Sequence, residues 1–177
     1  MAGSWIYAER LTNAAQTIDT DHAYIHEGYA FQVGEVESIN GTRKYRFKTP
    51  SSTESNFRYI HMRPNSIDIE KGTLLIRFQE GSTDVSTGTA VTPVNRNRNS
   101  ATTSSVTFVP GVTATTAGTD IYSQKLHAGG GNGNGGQSVE PLEWVLKPNT
   151  EYIINLTTTA ATSVSANFFW YEEEMGV

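Results

Sequence analysis

The sequence is built from short runs in which aromatic and β-branched residues recur at every second position. The clearest run covers residues 43–49, where Tyr45 and Phe47 alternate with Arg46 and Lys48. A period of two places neighbouring residues on opposite faces of a strand, so one face is apolar and the other is solvated. The pattern therefore predicts half-buried β-strands and leaves little room for amphipathic helices.

Similar runs follow along the chain, separated by turn-forming residues such as Pro110-Gly111. Residues 73–78 are the most continuously apolar and are expected to form a central strand, whereas residues 57–63 should stop at Pro64, which cannot donate to a sheet ladder. Nine or ten short strands predict an all-β fold, a β-sandwich of the jelly-roll or a related Greek-key form. The other predicted strands cover residues 23–33, 90–94, 105–109, 121–126, 142–146, 152–157 and 164–170.

The length of 177 residues fits one domain with an N-terminal extension. We expect residues 21–177 to form a single β-sandwich domain and residues 1–20 to form an N-terminal arm or a short helix. Mild helical character is confined to residues 8–16, where Ala, Leu, Glu and Gln are good helix formers but the apolar stripe is short and uncapped.

Composition excludes several classes of protein. The chain has no cysteine, so disulfides and thiolate chemistry are absent, as suits a protein made in a reducing compartment. Its net charge of −5 argues against a dedicated nucleic-acid binder. Neither a run of about 20 apolar residues nor a signal peptide is present, so we expect no membrane partner.

Two segments suggest a bound group but have simpler explanations. The glycine-rich residues 129–136 lack the Lys-Ser/Thr and the helix start of a phosphate-binding loop, and are expected to be a mobile surface loop. His22 and His26 would share a face on a helix, but their neighbours indicate a strand. There they would lie about 13 Å apart, too far to share one metal. We therefore expect no metal and no cofactor.

Catalytic residues are also not apparent. His61 and His127 are isolated, and no serine stands in a nucleophile motif. Carboxylates at Glu35 and Glu37, or at 172–174, are not by spacing alone a glycosidase pair. We expect the protein not to be an enzyme. The tryptophans could stack on sugars, but Trp144 and Trp170 lie within apolar strands and are expected to pack in the core.

The segment 95–100 is rich in amides and carries Arg96 and Arg98. Guanidinium groups pair with carboxylates in bidentate geometry, so this segment could contact an acidic neighbouring subunit. Equally, it could be an asparagine-rich turn whose side chains bond to their own backbone. The sequence leaves both interpretations open.

Three stretches together resemble a known family. They are PVNRNRNS at residues 93–100, a W-x-L-K-P-N-T-x-Y pattern at residues 144–152, and WYE at residues 170–172. With these motifs the chain resembles small virion proteins of tailed bacteriophages, over residues 23–172. The resemblance implies a capsid decoration or cement protein, made in the host bacterial cytoplasm, that binds the outer surface of the assembled head.

The resemblance further implies the major capsid protein as a partner. We also expect the chain to form a homodimer or homotrimer, since linked copies would bind a shell multivalently. We expect the contacts to come from the N-terminal arm, with Trp5, Ile6 and Tyr7 as anchors, and from Arg96 and Arg98. A head fibre, tail or baseplate component that binds host glycans is the alternative.

Overall fold

A computed structural model describes residues 4–8, 15–53, 57–84, 88–113, 115–129 and 143–174. Within these residues the chain is mostly β-strand, as the period-two pattern predicts. In chain order the elements are β1 (Ser4–Ala8), β2 (Ala15–Asp19), α1 (Thr20–Glu27), β3 (Ala30–Lys48), β4 (Arg58–Ile69), β5 (Gly72–Glu80), β6 (Thr83–Asp84), β7 (Val94–Asn95), β8 (Thr107–Pro110), β9 (Thr115–Thr116), β10 (Thr119–Ala128), β11 (Trp144–Leu146) and β12 (Glu151–Glu174).

Two long antiparallel strands, β3 and β12, organise the fold because each runs through two layers. Residues 151–158 of β12 lie between β5 and residues 42–48 of β3. Beyond a register shift between Thr158 and Thr162, β12 pairs with residues 30–39 of β3 and, on its other side, with β4. One hydrogen-bonded sheet thereby folds over into two stacked layers.

The first layer has the order β10, β5, β12, β3, β8, and the second has the order β11, β4, β12, β3, β7. When β3 and β12 are each counted as two segments, eight segments pair in a nested way. Residues 30–39 of β3, the first segment, pair with residues 162–171 of β12, the last segment. Residues 42–48 of β3 pair with residues 151–157 of β12, β4 pairs with β11, and β5 pairs with β10. This is the pairing of a jelly roll, which confirms the predicted sandwich. The short strands β7 and β8 extend the β3 edge of the two layers.

The core is the space between the layers and is filled by aromatic rings that cross it. The ring of Phe47 in the first layer lies edge-on to Trp170 in the second, with centroids 4.9 Å apart. Phe78 in the first layer meets Trp144 in the second at 5.2 Å. Trp170 is fully buried and Trp144 packs against the same cluster, so both tryptophans belong to the core as predicted.

Several strand predictions need correction in extent. The runs at 152–157 and 164–170 are parts of one strand, because the register shift bends β12 without ending it. Likewise β4 continues past Pro64: a shift in register against β12 falls there, so proline occupies an irregular point in the ladder. Of the predicted strand 90–94, only a bridge at Val91 and the start of β7 form. Residues 73–78 do lie centrally, between β10 and β12.

The N-terminal part differs most from expectation. Residues 4–8 and 15–19 pair as two antiparallel strands, so of the two alternatives for residues 1–20, an arm or a short helix, the helix does not form at either described end of residues 8–16. A helix forms instead at residues 20–27, at the start of the predicted strand 23–33. In the described part of the chain, no helix has the length and apolarity to cross a bilayer.

Candidate interaction surface

The outer side of the second layer is covered by α1, and we call this region the α1 face. Phe169 and Tyr171 of β12 point outward there and are buried beneath the helix together with Ala30. The ring of Tyr24 on α1 stacks on that of Tyr171, with centroids 4.5 Å apart and planes inclined by 15°. Stacked, buried aromatics attach the helix to the sheet, which is why a short helix is stable at this position.

The helix ends in a Schellman motif built on Gly28. The Tyr29 N–H donates to the Tyr24 carbonyl at 2.9 Å, and the Gly28 N–H donates to the Ile25 carbonyl at 3.1 Å. Gly28 has a φ of +82°, a left-handed conformation that glycine adopts without strain. The glycine therefore ends α1 and turns the chain into β3.

The asparagine-rich segment after β7 completes this helix end. Asn95 is buried, and its Nδ2 donates to the Gly28 carbonyl at 2.8 Å and to the Thr102 carbonyl at 2.9 Å. Asn97 Nδ2 donates to the His26 carbonyl at 2.9 Å. Two amides thus bind carbonyls that the end of a helix leaves without partners.

The same segment also folds on itself. The Asn97 N–H donates to Asn95 Oδ1 at 2.9 Å, and the Asn99 N–H donates to Asn97 Oδ1 at 3.1 Å. The interpretation of residues 95–100 as a turn bonded to its own backbone is therefore correct for the asparagines, which additionally hold α1.

The arginines of this segment are exposed, and their contacts differ from those of Asn95 and Asn97. The Arg96 guanidinium lies 4.8 Å from the centroid of the Phe169 ring, and Arg98 makes a long 3.4 Å contact with the Asn95 carbonyl. Within the described residues, neither guanidinium pairs with a carboxylate. Both cations thus keep donors available for a partner.

Next to the aromatic stack lies a charged network centred on Glu143. Its carboxylate accepts hydrogen bonds from Tyr171 Oη at 2.5 Å, from His61 Nδ1 at 2.9 Å and from Arg63 Nε at 2.8 Å. Partial burial disfavours the carboxylate, but these three donors and the charge of Arg63 lower the pKa of Glu143 to about 2. The group is therefore a fixed anion at neutral pH.

A second carboxylate, Glu173, extends the network towards the helix. Its oxygen lies 2.9 Å from His61 Nε2, so the imidazole stands between two carboxylates while its ring stacks on Tyr171 at 4.5 Å. Desolvation raises the pKa of the Tyr24 hydroxyl, and its hydrogen bond to Glu173 raises the pKa further. The hydroxyl remains protonated and donates to Glu173, which ties α1 to β12.

The ionisable groups of this face are occupied in holding α1 to the sheet. Glu143 accepts hydrogen bonds from three side chains, and the Tyr24 hydroxyl keeps its proton.

Glu172 lies on the opposite face of β12 and has a different role. It is buried and accepts hydrogen bonds from Ser104 Oγ, Ser105 N–H and Ser105 Oγ, so it fixes the loop before β8. No group of three or more metal-ligating side chains occurs among the residues that the structure describes.

The predicted contact residues fall on neighbouring elements. Trp5, Ile6 and Tyr7 form the middle of β1, whose backbone pairs with β2, and both strands contact α1. Their side chains lie outside the described part. Arg96 and Arg98 stand on the segment that binds the other end of α1. The glycine-rich residues 130–136 also lie outside the described residues.

Sequence reasoning missed α1 and the Glu143 network. The available signal for the helix was Gly28 after a short polar and apolar stretch, since glycine is common just beyond a helix end. The error had a consequence for His22 and His26, because on the helix their Nε2 atoms lie 2.8 Å apart, not about 13 Å. The outward position of Tyr171 could have been predicted from the alternation along β12, because the even-numbered residues of this strand face the core and Tyr171 is odd-numbered.

The motifs that carry the phage resemblance have structural roles in this fold. Trp170 fills the core and Glu172 holds the 104–105 loop. In the second motif, the Lys147 N–H donates to Tyr152 Oη at 2.8 Å, and Thr150 Oγ1 donates to the Pro148 carbonyl at 2.8 Å, which fixes the turn into β12. Comparisons with family models, with curated proteins and with solved structures give no match to this chain.

Proposed function

We propose that the protein is a non-enzymatic virion component of a tailed bacteriophage, a decoration or cement protein on the outer surface of the head. The observation that carries the proposal is that the two candidate contact segments adjoin the two ends of one helix, α1. The asparagines beside Arg96 and Arg98 bind the end of α1, and α1 directly follows the β1–β2 extension. Both segments can therefore engage one partner surface together.

The chemistry of residues 95–100 fits contact with an acidic protein surface. Arg96 and Arg98 are exposed and carry no ion pair within the described residues, while the asparagine backbone that presents them is fixed by hydrogen bonds. Preorganised guanidinium groups lose little conformational entropy on pairing with carboxylates. The major capsid protein is the proposed source of those carboxylates.

Weak contacts of this kind become effective when several copies are linked. We propose a homodimer or homotrimer, since tethering raises avidity by roughly 10²–10⁴ over a single contact. A sandwich whose layers share two continuous strands is a rigid body for this purpose. Shell stabilisation follows when each oligomer contacts more than one capsid subunit.

The test is binding to purified heads that lack the protein, measured by co-sedimentation and by cryo-electron microscopy. Regular density over the capsid lattice is expected for the unaltered chain. Density confined to the tail or baseplate would overturn decoration and favour the head-fibre or tail alternative, which a glycan array would then examine.

A charge-matched pair of variants tests the arginines. The Arg96→Ala/Arg98→Ala variant should lose about 100-fold or more in head affinity, because two charge-assisted contacts contribute about 1.5–3 kcal/mol each. The Lys71→Ala/Lys125→Ala variant removes the same charge from exposed positions elsewhere and should bind like the parent. Equal affinities for both variants would show that residues 95–100 only hold α1.

Deletion of residues 2–19 tests the extension separately. The cut leaves α1 intact, since the helix begins at Thr20. Head occupancy should decrease while thermal unfolding of the sandwich stays unchanged. Full occupancy after the deletion would remove Trp5, Ile6 and Tyr7 from the proposed contact.

A further inference from the structure

The exposed side of α1 presents two imidazoles in contact. His22 and His26 are one helical turn apart, both are exposed, and their Nε2 atoms are 2.8 Å from each other. Their ring centroids are 4.6 Å apart. Two side-chain nitrogens at this separation can be ligands of one ion.

The helix that carries the pair is held from its buried side and at its end. Ala23 and Tyr24 are buried against the sheet, so the neighbouring positions 22 and 26 project away from it. The backbone of His26 is fixed directly, because its carbonyl accepts the hydrogen bond from Asn97. The Schellman motif at Gly28 fixes the last turn. The two ligand positions are therefore preorganised, and only ring rotations remain to be set.

We propose that His22 and His26 form a binding site for one divalent transition-metal ion. Neutral imidazole is a common ligand of copper, nickel and zinc. The donor of the present Nε2–Nε2 hydrogen bond moves its proton to Nδ1, and both Nε2 lone pairs then point at the metal. Water completes the coordination.

Intrinsic affinity gives an order of preference among metals. For a given set of nitrogen ligands the affinity rises from nickel(II) to copper(II) and falls again to zinc(II). Copper(II) is therefore expected to bind most tightly, and zinc(II) more weakly than copper(II).

The experiment is a titration of the metal-free full chain with copper(II) and with nickel(II), followed by calorimetry and, for copper, by electron paramagnetic resonance. Saturation at one ion per chain and a spectrum with two equivalent nitrogen ligands are expected. His22→Gln and His26→Gln should each weaken binding by about 100-fold, because one imidazole loses the effective concentration supplied by the other. Glutamine is a good helix former, and circular dichroism verifies that α1 is kept.

The matched control is His127→Gln, which removes an exposed imidazole on β10 and should leave the affinity unchanged. The His22→Gln/His26→Gln variant retains the chain's amino terminus and every other ligand type, so metal held elsewhere would persist in it. Absence of saturable binding by the unaltered chain, wild-type affinity in this double variant, or an equal loss in His127→Gln would each overturn the proposal.

Discussion

The two halves of β12 face the same core but differ on their outer sides. Along residues 151–158 the outward positions are Ile153, which packs in a small aliphatic cluster, and the polar Asn155 and Thr157. Along residues 162–174 the outward positions near the end are Phe169, Tyr171 and Glu173. The inward positions of both halves are equally well buried.

The difference shows where this chain places specific side-chain chemistry. Val109 of β8 and Val112 just after it are sufficient to cover Ile153. Covering Tyr171 takes a separate helix, two capping asparagines and a carboxylate with three donors. A sandwich needs an apolar interior but not such an exterior, and the α1 face is where the proposed function places the contact with a partner.

The largest expected effect comes from truncating the two outward anchors. Tyr171→Ala should reduce the free energy of unfolding by about 3–5 kcal/mol, since it removes a buried ring from two stacks and a donor from Glu143. Ile153→Ala should cost about 2–4 kcal/mol. Urea denaturation measures both values.

Hydrogen exchange separates the two variants by location. Tyr171→Ala should speed exchange of the α1 amides, while Ile153→Ala should leave them protected. Tyr171→Phe keeps the stack, so its α1 amides should exchange at a rate between those of the parent and of Tyr171→Ala. Equal protection of α1 in both alanine variants would mean that the Tyr24–Tyr171 stack does not hold the helix.

An intermediate effect is expected at the glycine that ends α1. Gly28→Ala should destabilise the protein by about 2 kcal/mol, because the φ is left-handed and the new Cβ would lie 2.8 Å from Ser100 Cβ. Gly72→Ala is the matched control: its φ is +86° but its surroundings are open, so about 1 kcal/mol is expected. Thermal unfolding with a two-state fit gives the difference, and equal losses would dismiss the contact with Ser100.

The smallest effect is the pH dependence that Glu143 contributes. Its pKa is about 2 in the folded protein against an ordinary 4.5, so its stabilisation is present above pH 4.5 and is lost as pH falls towards 2. The side chain is 31% exposed, and solvent screening limits the contribution to about 1 kcal/mol.

The stability difference between the parent and Glu143→Gln should therefore shrink between pH 5 and pH 2.5, as measured by urea denaturation at each pH. A difference that stays constant over this range would show that the hydrogen bonds, and not the charge, provide the stabilisation.

The local sequence pattern was sufficient to predict the sandwich but not the elements that cover its outer face. Alternation at Tyr45 and Phe47 identifies strands because each inward residue meets the core independently of its neighbours. The helix at residues 20–27 was missed because its stability comes from Phe169 and Tyr171, about 150 residues away, and no local preference reveals that contact. Arg96 and Arg98 were predicted as candidate partner contacts from their residue type, but the roles of Asn95 and Asn97 depend on where α1 ends.

The two layers share the strands β3 and β12, and this sharing also affects how the protein unfolds. Opening the first layer releases residues 42–48 and 151–158, and the same two strands continue into the central ladder of the second layer. The two layers are therefore expected to melt together. Trp144 and Trp170 lie at different depths in this core, and their fluorescence should report one common transition.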